Sequence, residues 1–206
     1  MGDRHGAAVG KSPFLAKGVV YGGAHDYYEE HVPGGFAAVC AAIDDPALRA
    51  FAGQPFLASS SYDVLPIVPL SRAAASLAGL THKELVVGNA RWLAERDIGG
   101  VLRVLLRLAS PAQVALRLPR AALHYFNFGA AEGFLVDSST LEVKQTGIPT
   151  PLALWMVWAV EGFAAVTLAL AGARSPKVLM MGSAVRDGEK DGIETSTLSW
   201  RIRWSE

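Results

Sequence analysis

Residues 150–172, with the sequence TPLALWMVWAVEGFAAVTLALAG, decide the fold of this chain. Glu161 is the one ionisable side chain in this stretch, and apolar side chains surround it on every face of a helix. Thr150 is a candidate N-cap, Pro151 suits the first helical position, and Gly172 suits a left-handed C-terminal end. We therefore predict one long helix here that is buried within the protein.

The length of this helix, about 31 Å at ~1.5 Å per residue, would also suffice to cross a bilayer. The central Glu161, the adjacent Gly162 and the strand-like alternation that follows favour a buried core helix instead. Residues 1–12 lack the apolar segment that a secretory signal requires. We expect no membrane insertion and a cytoplasmic location.

The composition excludes several classes of protein. Apolar residues make up 51% of the 206 residues and charged residues 18%, which argues against disorder. Nineteen charges of each sign leave no net charge, so no electrostatic attraction to nucleic acid is expected. Cys40 is the single cysteine, which excludes an intrachain disulfide and fits a reducing compartment.

The residues after the long helix alternate as a β-strand does. Over residues 195–204, one face would carry Leu198, Trp200, Ile202 and Trp204, and the other face Ser199, Arg201 and Arg203. Such a strand has one buried and one wet face. Further strands are predicted at 124–128, 133–137, 141–146 and 177–186, the last followed by the polar turn DGEKDG.

The residues before about 122 carry helical periodicity almost throughout, so the predicted fold class is α+β. An N-terminal helical part is followed by an antiparallel sheet packed on a long apolar helix. We predict a flexible tail over residues 1–13 and a single α+β ligand-binding-like domain over 14–206. This domain would consist of a helical part, 14–122, and a helix-on-sheet part, 123–206.

Aromatic residues in and near the long helix are the candidate ligand-binding residues. They are Tyr125, Phe126, Phe128, Trp155, Trp158 and Phe163. Glu161 could orient the polar end of a ligand. Alternatively, the aromatic residues are core, and Glu161 hydrogen-bonds to the backbone or to a tyrosine hydroxyl. No motif combines a nucleophile, a base and an orienting group, so no catalytic residue is predicted.

Four stretches of the chain are similar to a bacterial family of unknown function that is found mainly in myxobacteria. These are YDVLPIVPLSRAAASLAGLT (62–81), ARWLAERDIGGVLRVLLRLASP (90–111), LRLPR (116–120) and FNFG (126–129). The order of elements and the closing SWRIRW strand also resemble a wider superfamily. It includes the heme nitric oxide/oxygen-binding domains, the 4-vinyl reductase domains and transport-complex subunits of the Golgi.

The resemblance implies an interior pocket between the helical part and the helix-on-sheet part. This pocket holds heme in some members of the superfamily and apolar or lipid-like molecules in others. In heme-binding members a histidine on a helix ligates the iron, and a Tyr-x-Ser-x-Arg motif holds the propionates. His124 lies in the corresponding region but begins a predicted strand, and the motif is absent from the sequence. The cysteines that many 4-vinyl reductase domains carry near the C-terminal hairpin are also absent, so no metal site is predicted.

Three functional hypotheses follow. The first is a non-enzymatic binding or sensory domain that encloses a small apolar molecule and needs no cofactor. The second is a homodimeric interaction or signalling module without a ligand. The third is a heme-based gas sensor in which His124 binds the iron.

Overall fold

The computed structural model of this protein describes residues 8–122 and 124–205. Its helices are α1 (Gly18–His31), α2 (Gly35–Ala41), α3 (Pro46–Ala52), α4 (Ile67–Ala78), α5 (His82–Asp97), α6 (Gly100–Leu108), α7 (Pro111–Ala122) and α8 (Ala153–Leu170). Its strands are β1 (Leu15–Lys17), β2 (Ser61–Asp63), β3 (Ala130–Asp137), β4 (Thr140–Pro149), β5 (Arg174–Met180), β6 (Val185–Lys190) and β7 (Ile193–Ser205). The predicted α+β class, with helices first and a sheet with a long apolar helix afterwards, is confirmed.

Capping motifs in the sequence fix where helices α5 and α7 begin. At α5, the Thr81 hydroxyl accepts a hydrogen bond from the Glu84 N–H, and the Glu84 carboxylate accepts one from the Thr81 N–H. This reciprocal pair is a capping box, and it fixes the first turn of α5. At α7, Ser110 and Gln113 exchange the same two kinds of bond.

The helical part also contains a small ribbon of two short strands. β1 and β2 pair antiparallel, with Leu15 opposite Asp63. Residues 8–13 are held against this ribbon, because the buried Ser12 donates its N–H and its hydroxyl to the Asp63 carboxylate. The ordered domain therefore begins before residue 14, and residues 1–7 of the predicted tail lie outside the described residues.

Strand β7 is the centre of the sheet. It pairs antiparallel with β4 along one edge, and with β5 and β6 along the two halves of the other edge. The predicted alternation is confirmed, since Leu198, Trp200, Ile202 and Trp204 are all buried. They join the side chains of α8 in one continuous core.

The long apolar helix begins differently from the prediction. Thr150 does not cap it, because Thr150–Leu152 forms a 3-10 turn before α8 and the Thr150 hydroxyl bonds to the Ser196 hydroxyl of β7 at 2.7 Å. The C-terminal end is as predicted, with Gly172 in the left-handed region at a φ of +94°. Gly162 of α8 lies against the backbone of α5, so these two helices cross closely.

Two predicted strands differ in the structure. The segment 177–186 is divided between β5 and β6, because Gly182 adopts a φ of +91° and breaks the extended backbone. The predicted turn DGEKDG is largely part of β6. The segment 124–128 is not a strand, although Phe126 forms one isolated bridge to Ala16.

Among the described residues, one helical stretch is long and apolar enough to cross a membrane by length and composition. This stretch is Thr150–Leu170, and 56% of its most apolar 18-residue segment is buried inside the protein. Burial against α5 and the sheet is the environment of a core helix, in agreement with the prediction.

Candidate functional site

A mostly apolar pocket lies between the helical part and α8. This interhelical pocket has a volume of about 240 Å³. Its walls come from α1 (Val19, Val20), α5 (Val86, Asn89, Ala90, Leu93, Asp97), α6 (Leu102), α7 (Leu118, Ala121), α8 (Trp155, Met156, Ala159, Val160, Phe163) and the connections between helices (Ile98, Tyr125, Phe126). The pocket therefore occupies the position between the two parts of the domain that the resemblance implies.

Four of the predicted ligand-binding residues meet in this pocket. Tyr125 and Phe126 reach it from the connection after α7, and Trp155 and Phe163 from α8. Phe128 does not line it. Its ring is buried in the core against Phe14, with 5.5 Å between the ring centroids.

The structure places Glu161 outside the interhelical pocket. Its carboxylate oxygen Oε2 lies 2.9 Å from Nζ of Lys83 on α5. The partner of this carboxylate among the described residues is therefore a lysine, and neither a backbone group nor a tyrosine hydroxyl.

Asn89 is the polar residue of this site that the sequence analysis missed. Its side chain is 7% exposed and lines the interhelical pocket, and its Oδ1 atom has no hydrogen-bond partner among the described residues. The signal in the sequence is its spacing, because Asn89 stands four residues after Leu85 and three after Val86, both buried. A polar residue in an apolar helical stripe marks a buried polar position.

A second, larger opening lies on the other side of Trp155. This α4–α8 cleft has a volume of about 580 Å³. It is lined by Ala8, Val9, Asp45, Leu48, Asp63, Leu65, Pro66, Val68, Pro69, Arg72, His82, Thr150, Pro151, Leu154, Trp155 and Trp158. Trp158, a predicted ligand-binding residue, therefore faces the cleft rather than the interhelical pocket, while Trp155 forms a wall of both.

His82 is a neutral, oriented side chain of the cleft. The Ser71 hydroxyl donates to the Val68 carbonyl at 3.0 Å and lies 2.7 Å from Nε2 of His82. Because that hydroxyl proton is already used, Nε2 carries the ring proton and donates to Ser71. Burial, assisted by the charge of Arg72, lowers the pKa of His82 from 6.5 to about 4.

The polar groups of the cleft serve the fold. Asp45 caps α3 by accepting from the N–H of Ala47, and the buried Asp63 accepts from Ser12 and from the N–H of Leu65. Ser71 is completely buried, so its hydroxyl is closed to any substrate. The Ser71–His82 pair is therefore not a catalytic pair.

The residues of the interhelical pocket do not fit heme. Its described lining contains no histidine to bind iron, and no lysine or arginine to hold propionates. His124, the predicted iron ligand, is exposed in a turn that follows α7. No group of three His, Cys, Asp or Glu side chains that could hold a metal ion occurs in the described part of the chain.

Comparison with solved structures finds proteins that share this fold over most of the chain. The chain aligns over 92% of its length with 97% of the Fe(II) unliganded H-NOX (heme nitric oxide/oxygen-binding) protein from K. algicida, with a TM-score of 0.62 and 11% identity. The TM-score is 0.54, at 15% identity, for a T. tengcongensis H-NOX variant over 92% of this chain and 98% of that one. It is 0.51, at 15% identity, for an oxygen-binding H-NOX domain related to soluble guanylate cyclases, over 92% and 95%. The chain has an H-NOX-like fold.

The H-NOX likeness is structural, because identities this low show the fold alone. No family model matches the sequence. The comparison with curated proteins finds no match. The comparison thus confirms the α+β fold, while the function has to be argued from the site of this chain.

Proposed function

We propose that this protein is a non-enzymatic, sensory binding domain that encloses a small apolar molecule in the interhelical pocket. The observation that carries the proposal is the meeting of Tyr125, Phe126, Trp155 and Phe163 in one mostly apolar pocket. Apolar cavities between helices, with few polar groups, are typical of small-molecule sites. Similarity of residues 62–81 and 90–111 to the bacterial family of unknown function is compatible with this role.

The H-NOX-like fold supports a sensory role, since the neighbours include an oxygen-binding domain. The described lining of the pocket favours a ligand other than heme, because it contains no histidine for the iron and no lysine or arginine for the propionates. We therefore propose that the interhelical pocket takes an uncharged organic molecule rather than heme, and that His124 has no part in binding it.

The proposal is tested on freshly purified full-length protein. The absorbance spectrum and the native mass are measured on one sample, and a second sample is extracted with solvent. The expected result is a protein without heme absorbance from which a small apolar compound is extracted. Heme absorbance that disappears in His124→Ala would overturn the proposal in favour of the gas sensor.

A pocket-filling variant provides the control. Ala159→Phe places a ring in the pocket from α8, and Val20→Phe does so from the opposite wall on α1. Either variant that keeps a cooperative thermal transition should lose the extracted compound. Retention of the compound by a folded, pocket-filled variant would show that it binds elsewhere.

A homodimeric interaction module is the second candidate function, and α6 favours it. This helix has no buried residue, and its exposed apolar side chains are Val101, Leu102, Val104, Leu105 and Leu108. Apolar patches of this kind mark interaction surfaces. A second copy of the chain is the partner we propose, because self-complementary two-fold contacts are the commonest assemblies.

The second candidate is tested by light scattering over a range of protein concentrations. A dimer is expected, and the double variant Val101→Lys/Leu108→Lys should be monomeric. Leu57→Lys, which changes an exposed leucine outside α6, is the matched control and should remain dimeric. A monomer at all concentrations would contradict this candidate.

A further inference from the structure

The interhelical pocket contains one buried polar position that the fold leaves unpartnered. Asn89 is more than nine-tenths buried, and its Oδ1 atom makes no hydrogen bond among the described residues. Buried polar atoms in native proteins nearly always have a partner. An unpartnered amide oxygen on a residue that lines a pocket therefore indicates a partner that comes from the ligand.

We infer that the ligand is a small, neutral, hydroxyl-bearing apolar molecule whose hydroxyl group bonds to the side-chain amide of Asn89. This inference rests on the proposed function and assigns its ligand class. A hydroxyl both donates and accepts, so it matches the carbonyl and the NH₂ of an asparagine amide alike. The amide turns readily about χ2, because such terminal torsions have broad wells, and this brings either group toward the pocket.

The surroundings of Asn89 exclude a charged ligand. Val86 and Leu93 lie one turn before and after it on α5, and Trp155 and Phe163 line the same pocket from α8, so a charge here would lose its hydration without a counter-ion. Asp97 is the carboxylate among the described lining residues. It is exposed to solvent, and it accepts a hydrogen bond from Arg96. An uncharged hydroxyl is the polar group that this wall accepts.

The volume of the pocket sets the size of the ligand. A space of 240 Å³ holds about eight non-hydrogen atoms if each takes roughly 30 Å³, the volume of a water molecule in the liquid. This is the size of a single substituted aromatic ring or of a short-chain alcohol.

The test uses two probes of equal size. Para-fluorophenol and para-fluorotoluene each have eight non-hydrogen atoms, about the number that the volume allows, and they differ in a hydroxyl that stays neutral at pH 7, as phenols do. Fluorine NMR titration of the full chain gives both dissociation constants. We expect para-fluorophenol to bind about tenfold more tightly than para-fluorotoluene.

Asn89→Leu is the informative variant, because leucine has a similar shape and no polar atom. It should remove the preference for para-fluorophenol while it keeps or improves binding of para-fluorotoluene. If the variant does not fold, the wild-type preference alone decides. Equal affinities of the two probes for the wild-type protein would overturn the inference and leave the proposed function intact.

The pocket-filled Ala159→Phe protein separates the two failures. It should bind neither probe if both probes occupy the interhelical pocket. If neither probe binds the wild-type protein, the proposed function fails together with the inference. If both bind the wild-type and the pocket-filled protein equally, binding is nonspecific and both proposals are overturned.

Discussion

Nζ of Lys83 lies 2.9 Å from Oε2 of Glu161, and this ion pair joins the first turn of α5 to the middle of α8. The lysine side chain is 50% exposed and the glutamate side chain 26% exposed. Solvent therefore screens the pair, and its contribution to the free energy of unfolding should be about 0.5–1 kcal/mol. A double-mutant cycle with Lys83→Met and Glu161→Gln, measured by urea unfolding, checks this value.

The same Glu161→Gln protein tests the hypothesis that this carboxylate orients the polar end of a ligand. Because Glu161 does not line the interhelical pocket, we expect unchanged affinity for para-fluorotoluene and para-fluorophenol in the variant. A loss of affinity larger than the loss of stability would restore the role in ligand binding.

Gly162 is the position at which α8 comes closest to α5. A Cβ atom there would overlap the carbonyl oxygen of Val87 and lie 2.8 Å from Cβ of Ala90. Gly162→Ala should therefore destabilise the protein by about 1–3 kcal/mol through overpacking, despite the better helix propensity of alanine. Thermal or urea unfolding measures the change.

Gly22 provides the matched control on α1. A Cβ atom at Gly22 meets nothing within 4 Å, so Gly22→Ala should stabilise the protein by about 0.5–1 kcal/mol through helix propensity. Equal effects of the two substitutions would mean that the α5–α8 contact is looser than the structure shows.

The elements with a complete periodic signal were predictable from the sequence. Strand β7 has one buried face, which requires strict alternation from Leu198 to Trp204, and α8 carries apolar residues on every side. At 124–128, alternation over only five residues predicted a strand that the structure does not contain. There, Lys17 N–H donates to the Tyr125 carbonyl and Asn127 N–H to the Leu15 carbonyl, so the segment meets β1 at one bridge and forms no ladder.

The aromatic residues of the candidate site were predicted from the sequence, whereas its polar residue, Asn89, was not. Aromatic residues such as Trp155 and Phe163 stand out in any apolar helix. Which wall each one faces depends on how α8 packs, and Trp158 lies one turn from Trp155 yet faces only the α4–α8 cleft. The spacing of Asn89 marks a buried polar position, but the absence of a hydrogen-bond partner for its Oδ1 atom among the described residues arises only in the folded structure.

His82 should make the stability of the protein depend on pH. Its pKa is about 4 in the folded protein, against 6.5 for an ordinary histidine, so the unfolded chain binds more protons between these values. Stability is therefore full above pH 6.5, falls as the pH drops toward about 4, and levels off below that. The full difference in pKa would amount to about 3 kcal/mol. Because solvent reaches part of the ring, we expect about 1–2 kcal/mol.

Urea unfolding between pH 4 and pH 7, about the range over which His82 titrates, measures this dependence. The matched variant is His82→Gln, which does not titrate and keeps an N–H for Ser71. Its unfolding free energy should vary less with pH than that of the wild-type protein by the amount given above. Identical pH profiles would show that His82 titrates normally in the folded state.

Gln145 and Trp200 form a buried polar pair between β4 and β7. The indole N–H of Trp200 donates to Oε1 of Gln145 at 3.0 Å, and both side chains are almost completely buried. Gln145→Leu leaves the indole N–H without a partner in the core, which should cost about 1–3 kcal/mol of unfolding free energy.

Trp200→Phe removes the donor and leaves a cavity, so its cost combines two effects. In the double variant the polar penalty disappears, and a double-mutant cycle should give a coupling of about 1 kcal/mol. A coupling near zero would mean that water or another residue satisfies the indole.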